Sequence, residues 1–128
     1  AETERIIGNW FQKSGNRDKI VLATKIAGLS KQLWTRDADV SWTRHTKDQV
    51  DEAVMKSLKR LKTDYIDLYQ LHWPDRPVPL FGSKMDSKAY GYAYEPFEEI
   101  LSHLEAHVKA GRIHDLLTEI FRAMQDID

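Results

Sequence analysis

The sequence predicts an α/β fold in which parallel strands alternate with helices. Two short runs rich in β-branched and aromatic residues, at about 20–26 and 65–72, have the composition of buried strands. Stretches with apolar residues at helical spacing precede, separate and follow these runs. Successive parallel strands are joined by right-handed crossovers, so the order helix, strand, helix, strand, helix, helix favours parallel pairing of the two strands.

The amino-terminal part is predicted to contain one helix, one strand and one long loop. The helix covers residues 3–13 and ends at Gly15-Asn16. Gly28 closes the strand, and the polar segment 29–45 has no clear period, which is typical of a loop. The apolar residues that repeat at helical spacing in the first helix are Ile6, Ile7, Trp10 and Phe11.

The second helix is predicted to begin at Thr46, which caps it while Gln49 completes a capping box. It runs to about residue 64, directly before the second strand. Its apolar stripe is formed by Val50, Val54, Leu58 and Leu61, and its basic side chains, predicted to be a solvated face, are Lys56, Lys59, Arg60 and Lys62.

The carboxy-terminal part is predicted to be a long loop at 74–94 followed by two helices. The first covers 95–110 and is broken by Gly111, and the second covers 113–127. The apolar stripe of the first is Phe97, Ile100, Leu101, Leu104 and Val108, and that of the second is Ile113, Leu116, Leu117, Ile120, Phe121, Met124 and Ile127.

Length and composition limit the class of protein. The 128 residues, 41% of them hydrophobic, suffice for a single domain over 1–128 with its own core. A net charge of −1, from 19 basic and 20 acidic residues, argues against a nucleic-acid partner. There is no cysteine, hence no disulfide and no thiolate chemistry. No apolar run approaches the roughly 20 residues of a membrane span and no signal peptide is recognisable, so we expect no membrane partner and a cytoplasmic location.

Lys25 and His72 are the candidate site residues because each lies at the end of a predicted strand. Ligands of parallel α/β folds bind at the carboxyl ends of the strands, and alternate side chains share a face. If the strands are neighbours, Lys25 and His72 meet at that end of the sheet. The residues predicted to share this face are Val21, Ala23 and Lys25 on the first strand and Leu68, Gln70 and His72 on the second.

A lysine beside a histidine has chemical uses, although each residue also has a plain structural interpretation. The ammonium group lowers the pKa of a nearby phenol, and the imidazole polarises a carbonyl group by hydrogen bonding. Alternatively, the lysine is only solvated and the histidine is a satisfied polar group at a strand end. The paired placement of the two is what favours the functional interpretation.

Two other groups of residues carry weaker signals. His103 and His107 are four residues apart on one predicted helix, but no carboxylate motif supports a metal site there, and we predict none. The aromatic group Tyr90, Tyr92 and Tyr94 forms either a substrate wall or a packed loop.

Three stretches of the chain resemble the aldo-keto reductases, in particular their Tas-like branch. These are "IIGNWFQKSGNRDKIVLATKIAG", "SLKRLKTDYIDLYQLHWPDRP" and "AHVKAGRI". The resemblance implies a TIM barrel that reduces carbonyl compounds with NADPH. It also implies that Lys25 and His72 match the catalytic lysine and histidine of the family. Trp73, which follows the histidine, is the candidate substrate-binding residue.

The chain also departs from the family pattern. The proton-donor tyrosine of the family, and the aspartate that pairs with its lysine, belong to the segment before the first helix, and no tyrosine of this chain matches that donor. Where the family continues into a strand with a Ser-Asn pair, residues 114–128 read as a divergent helix. A (β/α)₈ barrel needs about 250 residues. The sequence therefore resembles a partial barrel that is truncated at both ends.

Two functions remain open at this point. One is an aldo-keto-reductase-like oxidoreductase in truncated form, with NADPH as cofactor, a small carbonyl compound as substrate and little or no turnover alone. The other is a non-catalytic folded fragment that acts as an oligomeric structural protein or binds a small molecule. Two strands would leave open sheet edges, so we expect a homo-oligomer. The alternative is that the helix predicted at 113–127 covers the open side.

Overall fold

The computed structural model describes residues 1–31, 33, 36, 40–77 and 95–117. Its elements are α1 (Glu2–Ser14), a 3₁₀ turn (Arg17–Lys19), β1 (Ala23–Ile26), α2 (Lys47–Leu61), β2 (Ile66–Leu71), α3 (Phe97–Lys109) and β3 (Ile113–Leu117). No helix in these described ranges is long and apolar enough to cross a membrane.

The three strands form one parallel sheet in the order β1–β2–β3. Parallel pairing of the first two strands was predicted and is confirmed. Their register pairs Ala23 with Leu68 and Lys25 with Gln70. The prediction of only two strands is wrong, because β3 pairs with the other side of β2.

The first strand is shorter than the sequence indicates. It begins at Ala23 rather than near residue 20, and the side chain of Val21 is 81% exposed. The Leu22 N–H donates to the Asp67 carboxylate at 2.9 Å, and Arg17 donates to the Ile20 carbonyl at 2.9 Å. Side chains thus satisfy the backbone groups that a longer ladder would have used.

The helix predicted from Ile113 is wrong over residues 113–117, which form β3. Gly111, at φ +77°, takes a left-handed conformation that ends the α3 segment and redirects the chain. The Ile66 N–H then donates to the Arg112 carbonyl at 2.9 Å, which aligns the next residues with the open edge of β2. Residues 118–128, including Ile120, Phe121 and Met124, lie outside the described part.

The hydrophobic core lies between the sheet and the helices that cover one of its faces. The predicted stripe of α2 is buried as expected, and Ile100 and Leu104 of α3 join it. A smaller cluster connects Phe11 of α1 with Leu22 and Leu61. The residues of the main cluster are Ile26, Val50, Ala53, Val54, Leu58, Ile66, Tyr69, Leu71, Ile100, Leu104 and Ile113.

Two predicted details of α2 differ in the structure. Thr46 is the N-cap, but its side chain makes no capping hydrogen bond. Gln49 instead uses its amide oxygen to accept from the Arg44 N–H at 2.8 Å and its amide nitrogen to donate to the Trp42 carbonyl. Arg60 is not part of a solvated face, because it forms an ion pair with Glu4 of α1 and is only 18% exposed. Gln49 therefore contacts residues before the helix instead of completing the capping box, and Arg60 contacts another helix instead of solvent.

Candidate functional site

Lys25 and His72 lie on the same face at the carboxyl ends of two hydrogen-bonded strands. Lys25 is opposite Gln70, and His72 lies two residues beyond Gln70, so the alternation of side chains puts all three on one face. The His72 N–H continues the ladder by donating to the Ile26 carbonyl at 2.9 Å. The shared face predicted from the sequence is therefore confirmed, while the catalytic roles stay a prediction.

The pair opens into a cavity of about 430 Å³, which Gln70 and Trp73 also line. The cavity extends around the edge of β1, because Thr24, on the opposite face of that strand, lines it as well. Residues of α1 and α2, among them Ile7 and Leu61, line it too.

His72 is held in a form that suits hydrogen bonding to a neutral oxygen. Burial, and after it the positive charge of Lys25, lower the pKa of the His72 imidazole below its usual value of 6.5. The ring is therefore uncharged at neutral pH and carries one N–H donor and one acceptor nitrogen. It lies 4.6 Å from the Trp73 ring, at a tilt of 45° between the two planes.

Trp73 ties the loop after β2 to the loop after β1. Its indole N–H donates to the Leu29 carbonyl at 3.0 Å, and the Leu29 N–H donates to the Pro74 carbonyl at 3.2 Å. Gly28 makes this approach possible, since a Cβ there would lie 2.1 Å from the Trp73 carbonyl oxygen. The two loops that follow Lys25 and His72 are thus fixed to each other.

Asp75 anchors the same loop and was not singled out from the sequence. Its side chain is 1% exposed and accepts from the Arg44 guanidinium at 2.9–3.1 Å. It also accepts from the backbone N–H groups of His45 and Glu95 at 3.3 and 3.2 Å. The signal was a carboxylate directly after the proline in "HWPDRP", but only the fold shows that Arg44 meets it.

The two histidines of α3 contact different partners. His107 shares a hydrogen bond with Asp51 at 2.7 Å, and its other ring nitrogen accepts from Arg112 at 2.8 Å. His103 contacts the His45 carbonyl at 3.2 Å. Within the described ranges, no group of three or more potential metal ligands occurs.

Neither described tyrosine reaches the site. Tyr69 is 1% exposed and belongs to the core, and burial strongly raises the pKa of its hydroxyl. Tyr65 lies at the other end of β2, where the Arg17 guanidinium is 3.8 Å from its ring centroid and His114 stacks at 4.7 Å. The tyrosines at 90, 92 and 94 lie outside the described residues.

This arrangement of parallel strands joined by crossover helices is that of a segment of a (β/α)₈ barrel. The sequence profile of the aldo/keto reductase family matches residues 1–116, and the chain belongs to this family.

Two curated relatives illustrate the similarity. Protein tas of Escherichia coli is 37% identical over 118 residues, which cover 87% of this chain and 32% of the relative. The aldo-keto reductase YhdN of Bacillus subtilis is 44% identical over 82 residues, which cover 62% of this chain and 22% of the relative. The chain thus spans less than a third of the length of these relatives.

Solved structures agree with the fold. The holo form of an aldo-keto reductase from Bacillus halodurans has a TM-score of 0.58 and 29% sequence identity. The match covers 88% of this chain and 30% of the Bacillus halodurans chain. An aldo-keto reductase from Klebsiella pneumoniae in complex with NADPH has a TM-score of 0.56 and 26% sequence identity. The match covers 88% of this chain and 28% of the Klebsiella pneumoniae chain. The described residues are therefore a three-stranded portion of an aldo-keto reductase barrel.

Proposed function

We propose that Lys25 and His72 are the catalytic residues of an NADPH-dependent carbonyl reductase site, with Trp73 as a substrate contact. The proposal is carried by one observation, the placement of the two side chains on one face at adjacent strand ends beside a single cavity. Membership of the family supports it, as does the NADPH complex of the Klebsiella pneumoniae relative.

The residues fit the reacting end of such a site. A bound NADPH would supply a hydride to the carbonyl carbon, and a proton would have to reach the carbonyl oxygen. The uncharged His72 ring can donate an N–H to that oxygen and so orient and polarise the carbonyl group. The Lys25 ammonium stabilises negative charge that develops on the oxygen and raises the acidity of a phenol placed beside it.

We further propose that these 128 residues turn over little or no substrate by themselves. Tyr69 is buried in the core and Tyr65 lies at the far end of the strand, so neither can hand a proton to a carbonyl held by His72. Catalytic groups that act as a unit lose most of the rate when one of them is missing.

The first test is a fluorescence titration with NADPH, followed by an assay with a reactive aldehyde. We expect saturable binding that His72→Ala weakens, and negligible oxidation of NADPH. The matched control is His114→Ala, at an exposed histidine on the far end of the sheet. Absence of binding would contradict the reductase site. Robust turnover that Lys25→Met or His72→Ala abolishes would contradict the low-turnover proposal alone.

A second candidate is a non-catalytic protein that forms homo-oligomers and holds a small carbonyl compound without reducing it. It is favoured by the sheet, in which β1 and β3 each have a strand neighbour on one side only within the described residues. Ligand binding at the cavity without any NADPH binding would support this candidate over the first.

A further inference from the structure

His107 lies in the last turn of α3, and both of its ring nitrogens are hydrogen-bonded. Its side chain is only 3% exposed. Nε2 lies 2.7 Å from Asp51 Oδ1 of α2, and Nδ1 accepts from the Arg112 Nε–H at 2.8 Å. We call these three residues the His107 clasp. The clasp joins α2 and α3 to the residue that directly precedes β3.

The contacts fix which ring nitrogen carries the proton. A guanidinium group can only donate, so Nδ1 must offer its lone pair to Arg112. The single proton of the neutral ring is therefore on Nε2, from which it is donated to the Asp51 carboxylate. Burial raises the pKa of Asp51, but hydrogen bonds from Lys47 and His107 outweigh it and the net pKa is lowered, so this carboxylate is ionised at neutral pH.

A second proton on the ring changes only the contact with Arg112. Asp51 accepts from the Nε2–H of the neutral ring and of the charged ring alike. The added proton occupies Nδ1, where it faces the Arg112 N–H at a separation that suits a donor and an acceptor but not two donors. Two positive charges would also be adjacent at a nearly buried ring. Arg112 must then leave the ring.

Arg112 holds the start of β3 through its backbone. Its N–H donates to the His107 carbonyl at 3.0 Å, and its carbonyl accepts from the Ile66 N–H of β2 at 2.9 Å. The second of these hydrogen bonds begins the pairing of β2 with β3, which continues from Ile113. A displacement of Arg112 therefore acts on the edge at which β3 joins the sheet.

We propose that the His107 clasp is a pH-sensitive switch, in which the neutral ring holds Arg112 in place and protonation of His107 frees Arg112 and loosens the start of β3. The switch is separate from the proposed reductase site. The start of β3 pairs with the amino end of β2, whereas His72 follows the carboxyl end of that strand.

Other charged groups on the elements packed around His107 have different partners or face solvent. Lys47 of α2 donates to Asp51, His103 of α3 contacts a backbone carbonyl before α2, and His114 of β3 stacks on Tyr65. The charged groups that line the groove next to Arg112 are Arg17, Lys59, Lys62 and Asp64. The exposed charged side chains on these elements include Asp48, Glu105, Lys109 and Asp115. The test therefore changes His107 and Arg112.

The test is hydrogen exchange, measured by NMR across the titration of His107 at the amides of Ile66 and Leu68. Both lie on β2, but Ile66 donates to Arg112 on the β3 side and Leu68 donates to Leu22 on the β1 side. The ratio of their protection factors removes the effect of pH on the intrinsic exchange rate. We expect the ratio of Ile66 to Leu68 protection to fall about three- to tenfold as His107 is protonated, the usual net value of one hydrogen bond.

The main variant is His107→Gln, whose amide can donate to Asp51 and accept from Arg112 but takes up no proton. In this variant the ratio should stay high at every pH. The matched control is His103→Gln, at the other histidine of α3, which should keep the pH dependence of the wild type. Arg112→Met carries the test should His107→Gln not fold. The ratio should then be low at every pH, and His107 should take up its proton at a higher pH than in the wild type.

The nitrogen chemical shifts of the His107 ring give an independent result. They should show the Nε2–H tautomer while the ring is neutral, and an Nδ1–H tautomer would overturn the clasp. A protection ratio that stays constant as His107 is protonated, or that changes equally in His107→Gln, would overturn the switch. NADPH plays no part in these measurements, so their failure leaves the proposed reductase site unaffected.

Discussion

His45 is a fully buried histidine directly before the N-cap of α2, and its backbone N–H donates to the Asp75 carboxylate. Burial lowers the pKa of its ring from 6.5 to about 4, although the Asp75 carboxylate opposes this shift. The ring is therefore neutral in the folded protein near neutral pH, and a proton on it would place an ion in the core.

We expect this histidine to make the free energy of unfolding depend on pH. The unfolded ring binds a proton near pH 6.5 and the folded ring only near pH 4, so the unfolded state holds more protons between these values. Stability should fall as the pH falls from about 6.5 to about 4, by on the order of 3 kcal/mol in total.

Urea unfolding of the wild type and of His45→Leu across this range checks the prediction. The variant should lose most of the pH slope between pH 6.5 and 4. Equal slopes in the two proteins would show that His45 is not buried in its neutral form.

Glu4 connects three elements at once. Its carboxylate accepts from Thr24 of β1 at 2.7 Å and from Arg60 of α2 at 2.5 Å, while Glu4 itself lies on α1. Burial raises the pKa of Glu4, but these hydrogen bonds outweigh it, and the net pKa is lowered. The ionised carboxylate thus fixes α1 against the strand and helix behind the cavity.

Replacing Glu4 with glutamine should destabilise the chain by about 1.5–3 kcal/mol, the usual value of a hydrogen bond to a charged group. The matched control is Glu2→Gln, which breaks an exposed pair with Arg5 and should cost less than about 1 kcal/mol. Chemical denaturation of both variants measures the difference. Similar losses in the two would mean that the contacts of Glu4 are no stronger than a surface ion pair.

The elements differ in how well the sequence predicted them. The helices α1, α2 and α3 were predicted from their apolar periods, and the predicted stripe of α2 is the face that is buried. In α1 only Phe11 of the predicted stripe is buried, while Ile6 and Trp10 are 62% and 46% exposed. The segment from Ile113 was predicted wrongly, because apolar residues three or four apart fit a helix, and its β conformation depends on hydrogen bonds to the edge of β2. Tertiary pairing decides such short apolar runs.

The sequence likewise predicted only some residues of the candidate site. Lys25 and His72 were predictable because strand alternation and parallel pairing put them on one face, and the register confirms it. The contacts of Asp75 with Arg44 and of Trp73 with Leu29 join positions that are 31 and 44 residues apart. No local pattern specifies such pairs, so only the fold reveals how the rim of the site is fixed.

At the scale of the whole molecule, the described residues expose surface that favours association. Val21, two residues before β1, is 81% exposed, and β1 and β3 each have a neighbour on one side only among the described strands. Unpaired strand edges invite another chain. The other large hydrophobic residues that are exposed are Ile6, Trp10, Ile20 and Met55.

We therefore expect a homo-oligomer at micromolar concentration, with Val21→Lys lowering the average mass. Light scattering measures both. A monomer near 14.9 kDa that unfolds cooperatively would contradict this expectation and favour a chain that covers its own open side.

The most direct test of the site is a heteronuclear NMR titration with NADPH and then with a small ketone. A ketone is used because it forms imines with lysine side chains less readily than an aldehyde does. The account predicts that the shifts concentrate at Lys25, Gln70, His72 and the indole N–H of Trp73, and that Lys25→Met weakens the binding. The matched control Lys31→Met, at an exposed lysine over the Trp42 ring, should leave the binding unchanged. Shifts that fall elsewhere, or a Lys25→Met variant that binds as well as the wild type, would contradict it.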